Sequence, residues 1–529
     1  MMTGASTAAG RSWTPRLRRR LLLIALLAGL SALPVLFLMP LFDAPFERDQ
    51  GLYGVIALGW LEGSVPYRDL WDNKGPVLFL WYMAAFKLIG ESVVAPRLLA
   101  ALGTAAAVPF VWSSARMLLG PRKGLLAALF FAVAFANPFL QANANAEILM
   151  LCPLAAGFWA FTNGGKGGSL WWFLLAGALT ALAALTKQAA AGPFAGYVVW
   201  LAVLALRHPD ERARHARSAL MLIAGALLGL SPFIVYFAAN GALYDFWYAT
   251  VQFNFSFSGR NPIILKLIPP LLLDPAPLFG GLVLWALAVV GGARLWRRRD
   301  RVSGLILSFA VFSELAAQSM GKVSAHYNVG LLPAAAILGA VGFDAVLDAW
   351  RKGRRKLGYA MVACAVVSVS VSAFLYARPS PDDRFVVQYT FREYAYRSLE
   401  ARDIADEVEA MTGPDDYVYE FGRQSDIYFL ADRRPASRWV HSRAYGIEPS
   451  MLEEVLRDLD LRQPKLVLLT FECEPTSHDF QGCEQGAPRE LQTYLAEHYR
   501  FVERVDYADF YLRVDPALQS SMRDGGDSQ

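Results

Sequence analysis

The chain has 529 residues, of which 55% are hydrophobic and only 18% are charged. Soluble domains carry about 25% charged residues, so this composition argues against a cytosolic protein. The formal net charge is +4, and the basic residues form clusters between apolar segments. That arrangement fits a membrane-orientation signal better than a nucleic-acid-binding surface.

The N-terminus is a basic patch followed by an apolar run, RSWTPRLRRRLLLIALLAGLSALPVLFLMPLF, at 11–42. A cleaved signal peptide has a shorter apolar core and a small-residue cleavage site, and neither is evident in this stretch. We therefore predict that 20–40 is an uncleaved first transmembrane helix.

Further apolar segments follow the first one along the chain, and a hydrocarbon core of about 30 Å sets the length that each needs. The candidate spans are 94–115, 123–140, 147–162, 169–186, 189–206, 217–239, 277–296, 302–320, 327–347 and 358–377. With the first helix, they predict a polytopic protein of about eleven spans. The apolar stretch at 75–90 is too short for a comfortable span, so we expect a helix in or near the membrane interface.

The positions of the basic clusters predict the orientation of the chain. The clusters lie at 16–20, 116–123, 207–217, 294–301 and 351–356. With eleven spans and a cytoplasmic N-terminus, all of them fall on the cytoplasmic side, as the positive-inside rule requires. The first loop, 41–93, and everything after about 378 are then predicted to lie on the opposite side of the membrane, in the periplasm or at the cell exterior.

The texture of the sequence changes at residue 379. Helical spacing occurs at 401–411 and 489–499, strand patterns at 416–422 and 464–471, and a hairpin pattern at 501–514. This mixture predicts a compact α/β domain, 379–529, after a transmembrane domain, 1–378. Neither a phosphate-binding glycine loop nor a metal-ligand pattern is apparent in the second domain. Spacing alone leaves open whether Cys473 and Cys483 form a disulfide.

The first loop is unusually charged for a chain of this kind: FERDQGLYGVIALGWLEGSVPYRDLWDNKGP at 46–76. Glu47 and Asp49 follow the first helix directly, and such carboxylates are costly near a bilayer unless they are solvated or functional. Lys74 stands among aromatic residues just before the interfacial segment. It either anchors that segment at the headgroups or binds a lipid phosphate as a point charge.

Other candidate residues share the predicted outer side. Glu147 begins a span after an asparagine-rich approach, where it either complements the helix dipole or shares a pocket with Asp49. His326 and Tyr327 precede another outer helix start, and a lone histidine is more often structural. Arg260 is a further cation near the same surface.

Five short motifs, taken in order, resemble one known family: DQGLY (49–53), GSVPY (63–67), KGP (74–76), LTKQ (185–188) and HYNVGLLP (326–333). They are similar to motifs of bacterial polyprenyl-phosphate-dependent glycosyltransferases of the GT-C fold, the protein O-mannosyltransferase and lipid A aminoarabinose transferase superfamily. The chain departs from the family pattern at Gln50, where the family has a second acid, and at Gly75, where it has proline. Gln50 puts in doubt any role that needs two adjacent carboxylates, including metal binding.

The resemblance implies transfer of a sugar from a polyprenyl-phosphate donor to a glycan, lipid or protein acceptor at the outer face. It assigns the catalytic base to Asp49, with Glu147 near the acceptor or sugar as a second acid. The remaining candidates are the phosphate-binding residues Lys74, Arg260, His326 and Tyr327, and the first-loop residues Glu47, Arg48, Tyr53 and Tyr67. No cofactor is certain from the resemblance, and a divalent metal stays an open possibility that the residues do not indicate.

The main alternative is a secondary transporter or lipid flippase with an outer accessory domain. Transporters typically contain internal repeats and charged or broken helices at the bilayer midplane. Here we find no convincing repeat, and the charges of interest flank the spans on the predicted outer side. The sequence therefore favours the enzyme.

Overall fold

The computed structural model describes residues 14–140, 143–260, 263–273, 275–319, 325–378, 380–388, 392–445, 447–448, 450–470 and 487–514. Up to residue 376 these residues are almost entirely helical. The helices are α1 (Pro15–Leu38), α2 (Arg48–Leu61), α3 (Pro76–Ile89), α4 (Val94–Leu119), α5 (Pro121–Ala134), α6 (Ala146–Leu149), α7 (Leu151–Gly165), α8 (Trp171–Thr186), α9 (Ala191–Arg207), α10 (Arg212–Ala239), α11 (Leu243–Trp247), α12 (Phe253–Arg260), α13 (Ile263–Leu267), α14 (Pro270–Leu273), α15 (Ala276–Gly280), α16 (Leu282–Arg298), α17 (Arg301–Gln318), α18 (Leu332–Arg351) and α19 (Arg355–Tyr376).

Each predicted span coincides with a helix over most of its length. Among the described residues, seven helical segments are long and apolar enough to cross a membrane: Pro15–Leu41, Val94–Leu119, Ala146–Gly165, Gln188–Arg207, Pro209–Ala239, His326–Arg351 and Arg355–Phe374. The other four predicted spans correspond to α5, α8, α16 and α17, which are shorter or less apolar. The prediction of a multi-pass membrane protein is confirmed, whereas the number of spans stays a prediction.

Small residues let several of these helices pack backbone against backbone. A Cβ atom added at Gly177 in α8 or at Gly225 in α10 would stand 1.9 Å from a carbonyl oxygen of the facing helix. Between α16 and α18, a Cβ atom added at Gly291 or Gly342 would likewise stand 1.9 or 2.0 Å from a carbonyl oxygen of the facing helix. Close approach at small residues is the usual way in which helices associate within a bilayer, where the hydrophobic effect does not hold them together.

The basic loops lie together at one end of the bundle. Three ion pairs connect them: Lys123 with Asp344 at 2.8 Å, Arg294 with Asp348 at 2.9 Å, and Arg301 with Glu211 at 2.6 Å. The loops that carry the candidate functional residues join the opposite helix ends. This separation of charge is what the positive-inside rule expects, and which end faces the cytoplasm stays a prediction.

The predicted short helix at 75–90 is present as α3. Its Phe86 stacks on Phe429 of the C-terminal region, with the ring centroids 5.6 Å apart. The helix thus packs against that region, and its depth in the membrane stays a prediction.

The C-terminal region contains a small mixed sheet flanked by helices. Its elements are α20 (Pro381–Val387), α21 (Arg392–Met411), β1 (Tyr417–Gly422), α22 (Asp426–Leu430), β2 (Arg434–Pro435), α23 (Met451–Arg462), β3 (Leu466–Thr470), α24 (Arg489–His498), β4 (Tyr499–Val505) and β5 (Ala508–Arg513). The strand order is β2-β1-β3-β5-β4. β1 pairs in parallel with β2 and β3, and the other pairs are antiparallel. The predicted helices, strands and hairpin are confirmed, whereas Cys473 and Cys483 lie outside the described residues.

The first-loop helix α2 packs directly on α22 of the C-terminal region. A Cβ atom at Gly51 would stand 2.2 Å from the Cα atom of Asp426, and one at Gly54 would stand 2.7 Å from the ring of Phe429. The two glycines therefore allow the contact that brings the C-terminal region over the first loop.

Candidate functional site

Asp49 lies in the first turn of α2 and faces a cation from the other end of the chain. Its Oδ1 atom is 3.2 Å from Nη2 of Arg443. Arg443 sits in the short 3-10 turn Ser442–Ala444, and its backbone N–H donates to Nδ1 of His441 at 3.0 Å. The C-terminal region thus supplies a guanidinium to the first-loop carboxylate.

The surroundings of Asp49 keep it ionised. Burial alone would raise the pKa of its carboxyl, but the positive charges of Arg443, Lys74 and Arg48 outweigh that effect and hold the pKa well below its usual range. For Arg443 burial acts in the opposite direction and lowers the pKa, but the charges of Asp49 and Asp72 together raise it above its usual value. Both groups are therefore charged at neutral pH.

Lys74 is a second cation of this cluster and is buried. Its Nζ atom donates to Oδ1 of Asn73 at 2.8 Å and lies 3.9 Å from Oδ1 of Asp72. Burial lowers the pKa of Lys74 to about 8; Asp72 opposes this shift, and the charges of Arg443 and Lys187 add to it. Lys74 is therefore mainly a cation at neutral pH and loses its charge under mildly alkaline conditions.

Polar contacts to its backbone fix the position of the Lys74 loop. The hydroxyl of Tyr67 donates to the Lys74 carbonyl at 2.8 Å. Nε2 of Gln188 and Nδ2 of Asn254 donate to the Asn73 carbonyl at 2.8 and 2.9 Å. Helices distant in sequence thus hold the loop, which preorganises the lysine.

A close backbone contact explains why glycine stands at position 75, where the family has proline. A Cβ atom at this position would stand 2.0 Å from the carbonyl oxygen of Leu185, at the end of α8. No side chain fits there without movement of one backbone away from the other. Glycine therefore brings the first loop into contact with the LTKQ segment.

Asp72 is also paired with the C-terminal region. Its Oδ1 atom lies 3.8 Å from Nε2 of His441. Because Nδ1 of His441 accepts a hydrogen bond, the proton of the neutral ring is on Nε2, toward Asp72. Burial lowers the pKa of His441 to about 4, against the opposing effect of Asp72, so the ring is neutral at pH 7.

A neighbouring cluster surrounds Glu147. Its Oε1 atom is 2.7 Å from Nζ of Lys187 and 3.8 Å from Nε2 of His326. The same lysine lies over the ring of Tyr327, 5.1 Å from its centroid. Glu147 is buried, so Lys187 provides the compensating charge that a buried carboxylate needs.

A cavity that is partly open to its surroundings adjoins this second cluster. Glu147, Lys187 and Tyr327 line one part of it. The rest of the lining is mostly apolar: Met150, Leu154, Ala189, Ala190, Pro193, Ser313, Ala316, Ala317 and Gly330. A mainly apolar cavity with charged groups at one place suits a ligand that is both lipid and anionic.

The two clusters are adjacent. Gln188, the residue after Lys187, is bonded to the Lys74 loop, and the charge of Lys187 acts on the pKa of Lys74. His326 lies close enough to Asp49 to contribute to the lowering of its pKa. The structure therefore brings together Asp49, Lys74, Glu147, His326 and Tyr327, which are far apart in the sequence.

Glu47 has a different environment from Asp49. Its carboxylate is buried and accepts hydrogen bonds from the side-chain amides of Asn143 and of Asn145, the latter at 3.5 Å. Gln50, three residues after Glu47, accepts a hydrogen bond from Nη2 of Arg97 at 3.2 Å. Arg97 also donates to backbone carbonyls of the first loop. These contacts attach the loop to the helices beneath it.

The remaining candidates are distributed unevenly. Arg48 is half-buried next to Asp49, and Tyr53 is buried with its ring centroid 5.6 Å from that of Tyr82. Arg260 is exposed at the end of α12, and no described hydrogen bond or ion pair joins it to the cluster. Within the described ranges there is no group of three His, Cys, Asp or Glu side chains that could hold a metal ion.

Sequence reasoning missed Arg443, His441, Asp72 and Lys187 as members of the site. The signal for the first two was the segment RWVHSRAY at 438–445, which concentrates cations and aromatic rings in the otherwise ordinary C-terminal region. Lys187 lies in the LTKQ motif at 185–188, which supports the family resemblance but does not by itself assign a role to the lysine.

Comparisons with known proteins find one family model and several solved structures that are similar to this chain. Residues 73–236 match the family model described as dolichyl-phosphate-mannose-protein mannosyltransferase. The crystal structure of ArnT from Cupriavidus metallidurans bound to undecaprenyl phosphate is 15% identical, with a TM-score of 0.59, over 93% of this chain and 98% of that chain. The resemblance to the GT-C glycosyltransferases is confirmed.

The apo structure of the same ArnT gives the same identity and TM-score, over 94% of this chain. The archaeal oligosaccharyltransferase AglB from Archaeoglobus fulgidus, in complex with an inhibitory peptide and a dolichol-phosphate, is 13% identical over 95% of this chain and 75% of that chain, with a TM-score of 0.49. No curated protein sequence matches the chain. The match of 73–236 to this family model agrees with the predicted enzyme class, a glycosyltransferase that uses a lipid-linked donor.

Proposed function

We propose that the protein transfers a sugar from a polyprenyl-phosphate donor to a glycan, lipid or protein acceptor, with Asp49 as the general base. The observation that carries the proposal is the placement of an ionised, partly accessible carboxylate beside two cations, the buried Lys74 and the partly buried Arg443. This arrangement provides a proton acceptor next to charges that suit a phosphate leaving group.

In the proposed reaction the acceptor hydroxyl attacks the anomeric carbon while its proton passes to the Asp49 carboxylate. The bond between the anomeric carbon and the phosphate oxygen breaks, and the electron pair stays on the lipid phosphate. Lys74 and Arg443 neutralise the anion, so the leaving group needs no proton. A single displacement of this kind inverts the anomeric centre.

A retaining reaction needs a second carboxylate placed to attack the sugar. Glu147 is the nearby candidate, but Lys187 and His326 both contact it. We therefore assign Glu147 to the acceptor or sugar side, where the Glu147–Lys187 pair orients hydroxyl groups. His326, Tyr327 and Arg260 remain proposed ligands of the donor phosphate.

We further propose that the mainly apolar cavity next to Lys187 takes the first isoprene units of the donor. The lining residues offer apolar contacts, and the charged groups lie at one place, as in the donor itself. The undecaprenyl phosphate in the ArnT crystal structure is a lipid of this chemistry.

The proposed orientation puts this site outside the cytoplasm of a bacterial inner membrane. Basic loops gather at the opposite helix ends, which the positive-inside rule assigns to the cytoplasm. In this arrangement 1–378 forms the transmembrane catalytic domain and 379–529 an outer domain that closes over the first loop.

The proposal is tested by loss of product in cells and by turnover in vitro. Mass spectrometry of envelope glycans and lipids from a deletion strain should show a sugar missing from one component. Purified protein in lipid nanodiscs should then transfer that sugar from its polyprenyl-phosphate donor to the component that lacks it, and should release the lipid phosphate. An unchanged envelope together with no consumption of any polyprenyl-phosphate sugar would contradict the proposal.

A further inference from the structure

We infer that Arg443 changes partners during the reaction: it holds Asp49 before the donor binds and moves to the donor phosphate when the donor binds. This exchange couples occupation of the donor site to release of the catalytic base. It rests on the proposed function and adds a residue from the C-terminal region to the donor site.

The geometry of the pair suits an exchange. Among the described contacts, the Arg443 side chain makes one hydrogen bond to a carboxylate, from Nη2 to Oδ1 of Asp49 at 3.2 Å. A guanidinium has five N–H donors in a planar fork and pairs best with two oxygens at once. The Arg443 side chain is 15% exposed and that of Asp49 is 26% exposed, so a ligand can reach both groups.

The charges around the pair favour a phosphate as the second partner. The charge of Arg443 opposes the charge of Lys74, and Asp72 favours the charged form of both residues. An anion between the two cations relieves that repulsion. A phosphate has more oxygens for bidentate pairing than the single oxygen of Asp49 now engaged, so it competes effectively for the guanidinium.

The exchange changes the chemistry of Asp49. The cations that face this carboxylate are Arg443, Lys74 and Arg48, with Arg443 the strongest among them, and the titratable His326 faces it as well. While Arg443 is paired with it, the depressed pKa makes Asp49 a weak base. Departure of the guanidinium raises the pKa toward the ordinary range, where proton acceptance from a hydroxyl is more effective.

The backbone that carries Arg443 does not need to move for this exchange. The backbone N–H of Trp71 donates to the carbonyl of Arg438 at 2.8 Å. The Arg438 side chain pairs with Asp245 at 3.1 Å and with Glu454 at 2.8 Å. These contacts attach the segment a few residues before Arg443, so the exchange that we propose is a rotation of the Arg443 side chain.

The test is equilibrium binding of undecaprenyl phosphate to the purified full-length chain in nanodiscs, with wild type, Arg443→Gln, Asp49→Asn and the double variant. Loss of a charged contact should weaken binding to Arg443→Gln by about tenfold or more. Asp49→Asn should tighten binding, because the competitor for the guanidinium is gone. That gain should shrink by about twofold or more in the Arg443→Gln background, which a double-mutant cycle measures.

Arg434→Gln is the matched control, since Arg434 is an exposed arginine of the same region, paired at 3.4 Å with the exposed Glu62. Its binding should equal that of wild type. Arg443→Lys keeps the charge but lacks the planar guanidinium, so it should retain part of the affinity. This variant replaces Arg443→Gln in the binding experiment if Arg443→Gln does not fold.

The inference is overturned if Arg443→Gln binds as wild type does, or if Asp49→Asn tightens binding equally with and without Arg443. A purely orienting role for Arg443 would give that result, with turnover lowered and donor affinity unchanged. Failure of the wild-type protein to bind undecaprenyl phosphate is a different outcome and contradicts the proposed function itself.

Discussion

Asp49 and Arg443 are 394 positions apart in the chain, and their side chains meet at 3.2 Å. One belongs to the first loop and the other to a turn of the C-terminal region. The proposed reaction centre therefore exists only when the C-terminal region is packed on α2, which depends on the close contact at Gly51.

The orientation of the chain is tested by labelling from outside the cell. In a background without native cysteines, we expect a membrane-impermeant reagent to modify Arg457→Cys in α23 and to spare Arg212→Cys at the start of α10. Both positions are exposed, so access to the protein surface is not the difference. Labelling of Arg212→Cys alone would reverse the proposed topology.

Lys74 should make donor binding depend on pH. Its pKa of about 8 means that the cation is present below that pH and is lost as the pH rises through it. We expect the affinity for undecaprenyl phosphate to fall by about tenfold between pH 7 and pH 9, because a charged contact is lost.

Lys74→Ala should bind more weakly at pH 7 and lack this step, whereas Lys74→Arg should retain binding at pH 9 because arginine stays charged. Lys87→Ala, an exposed lysine at the end of α3, is the control. A wild-type affinity that is flat from pH 7 to pH 9, with Lys74→Ala unchanged, removes Lys74 from the donor site.

Gly75→Ala should loosen the first loop. The added methyl group would stand 2.0 Å from the Leu185 carbonyl oxygen, so one backbone must shift at a cost of about 1–3 kcal/mol. We expect a lower melting temperature in detergent together with weaker donor binding.

Gly103→Ala is the control for Gly75→Ala, because nothing lies within 4 Å of its added Cβ atom in α4. There, alanine should be neutral or slightly stabilising, as in other helices. Equal melting temperatures for Gly75→Ala and wild type would show that the loop is not held against α8.

The Glu147–Lys187 pair should behave as a buried ion pair in thermal unfolding. Removal of one partner leaves the other charge uncompensated, so Glu147→Gln should lower stability by about 3–5 kcal/mol. The double variant Glu147→Gln, Lys187→Met should recover part of that loss. Arg294→Ala breaks an ion pair that is 45% exposed on both sides and should cost less than about 1 kcal/mol.

Sequence patterns predicted the helices, the sheet and half of the site because these depend on local features. Apolar length identifies a span, and alternation identifies a strand such as β3, whatever surrounds them. Asp49 and Lys74 stood out because charge is rare next to apolar segments.

Features that depend on tertiary contact were not predictable in this way. Arg443 and His441 reach the site through the packing of α2 on α22, and no local pattern encodes that contact. Glu47 and Asp49 looked equivalent in the sequence, yet Glu47 is bonded to Asn143 and Asn145 while Asp49 remains partly accessible. In the sequence Gly75 is only a departure from the family motif, because the reason for it, the contact with Leu185, is tertiary.

The most direct test of the central claim is the rate of sugar transfer by Asp49→Asn, measured at saturating donor with the acceptor found in the deletion strain. Asparagine keeps the size and most of the hydrogen bonding but accepts no proton, so we expect a rate about 10²–10⁴-fold lower at a normal melting temperature. Asp43→Asn, which alters an exposed carboxylate of the same loop, is the control and should transfer at the wild-type rate. A folded Asp49→Asn protein that transfers sugar as fast as wild type would contradict the assignment of Asp49 as the base.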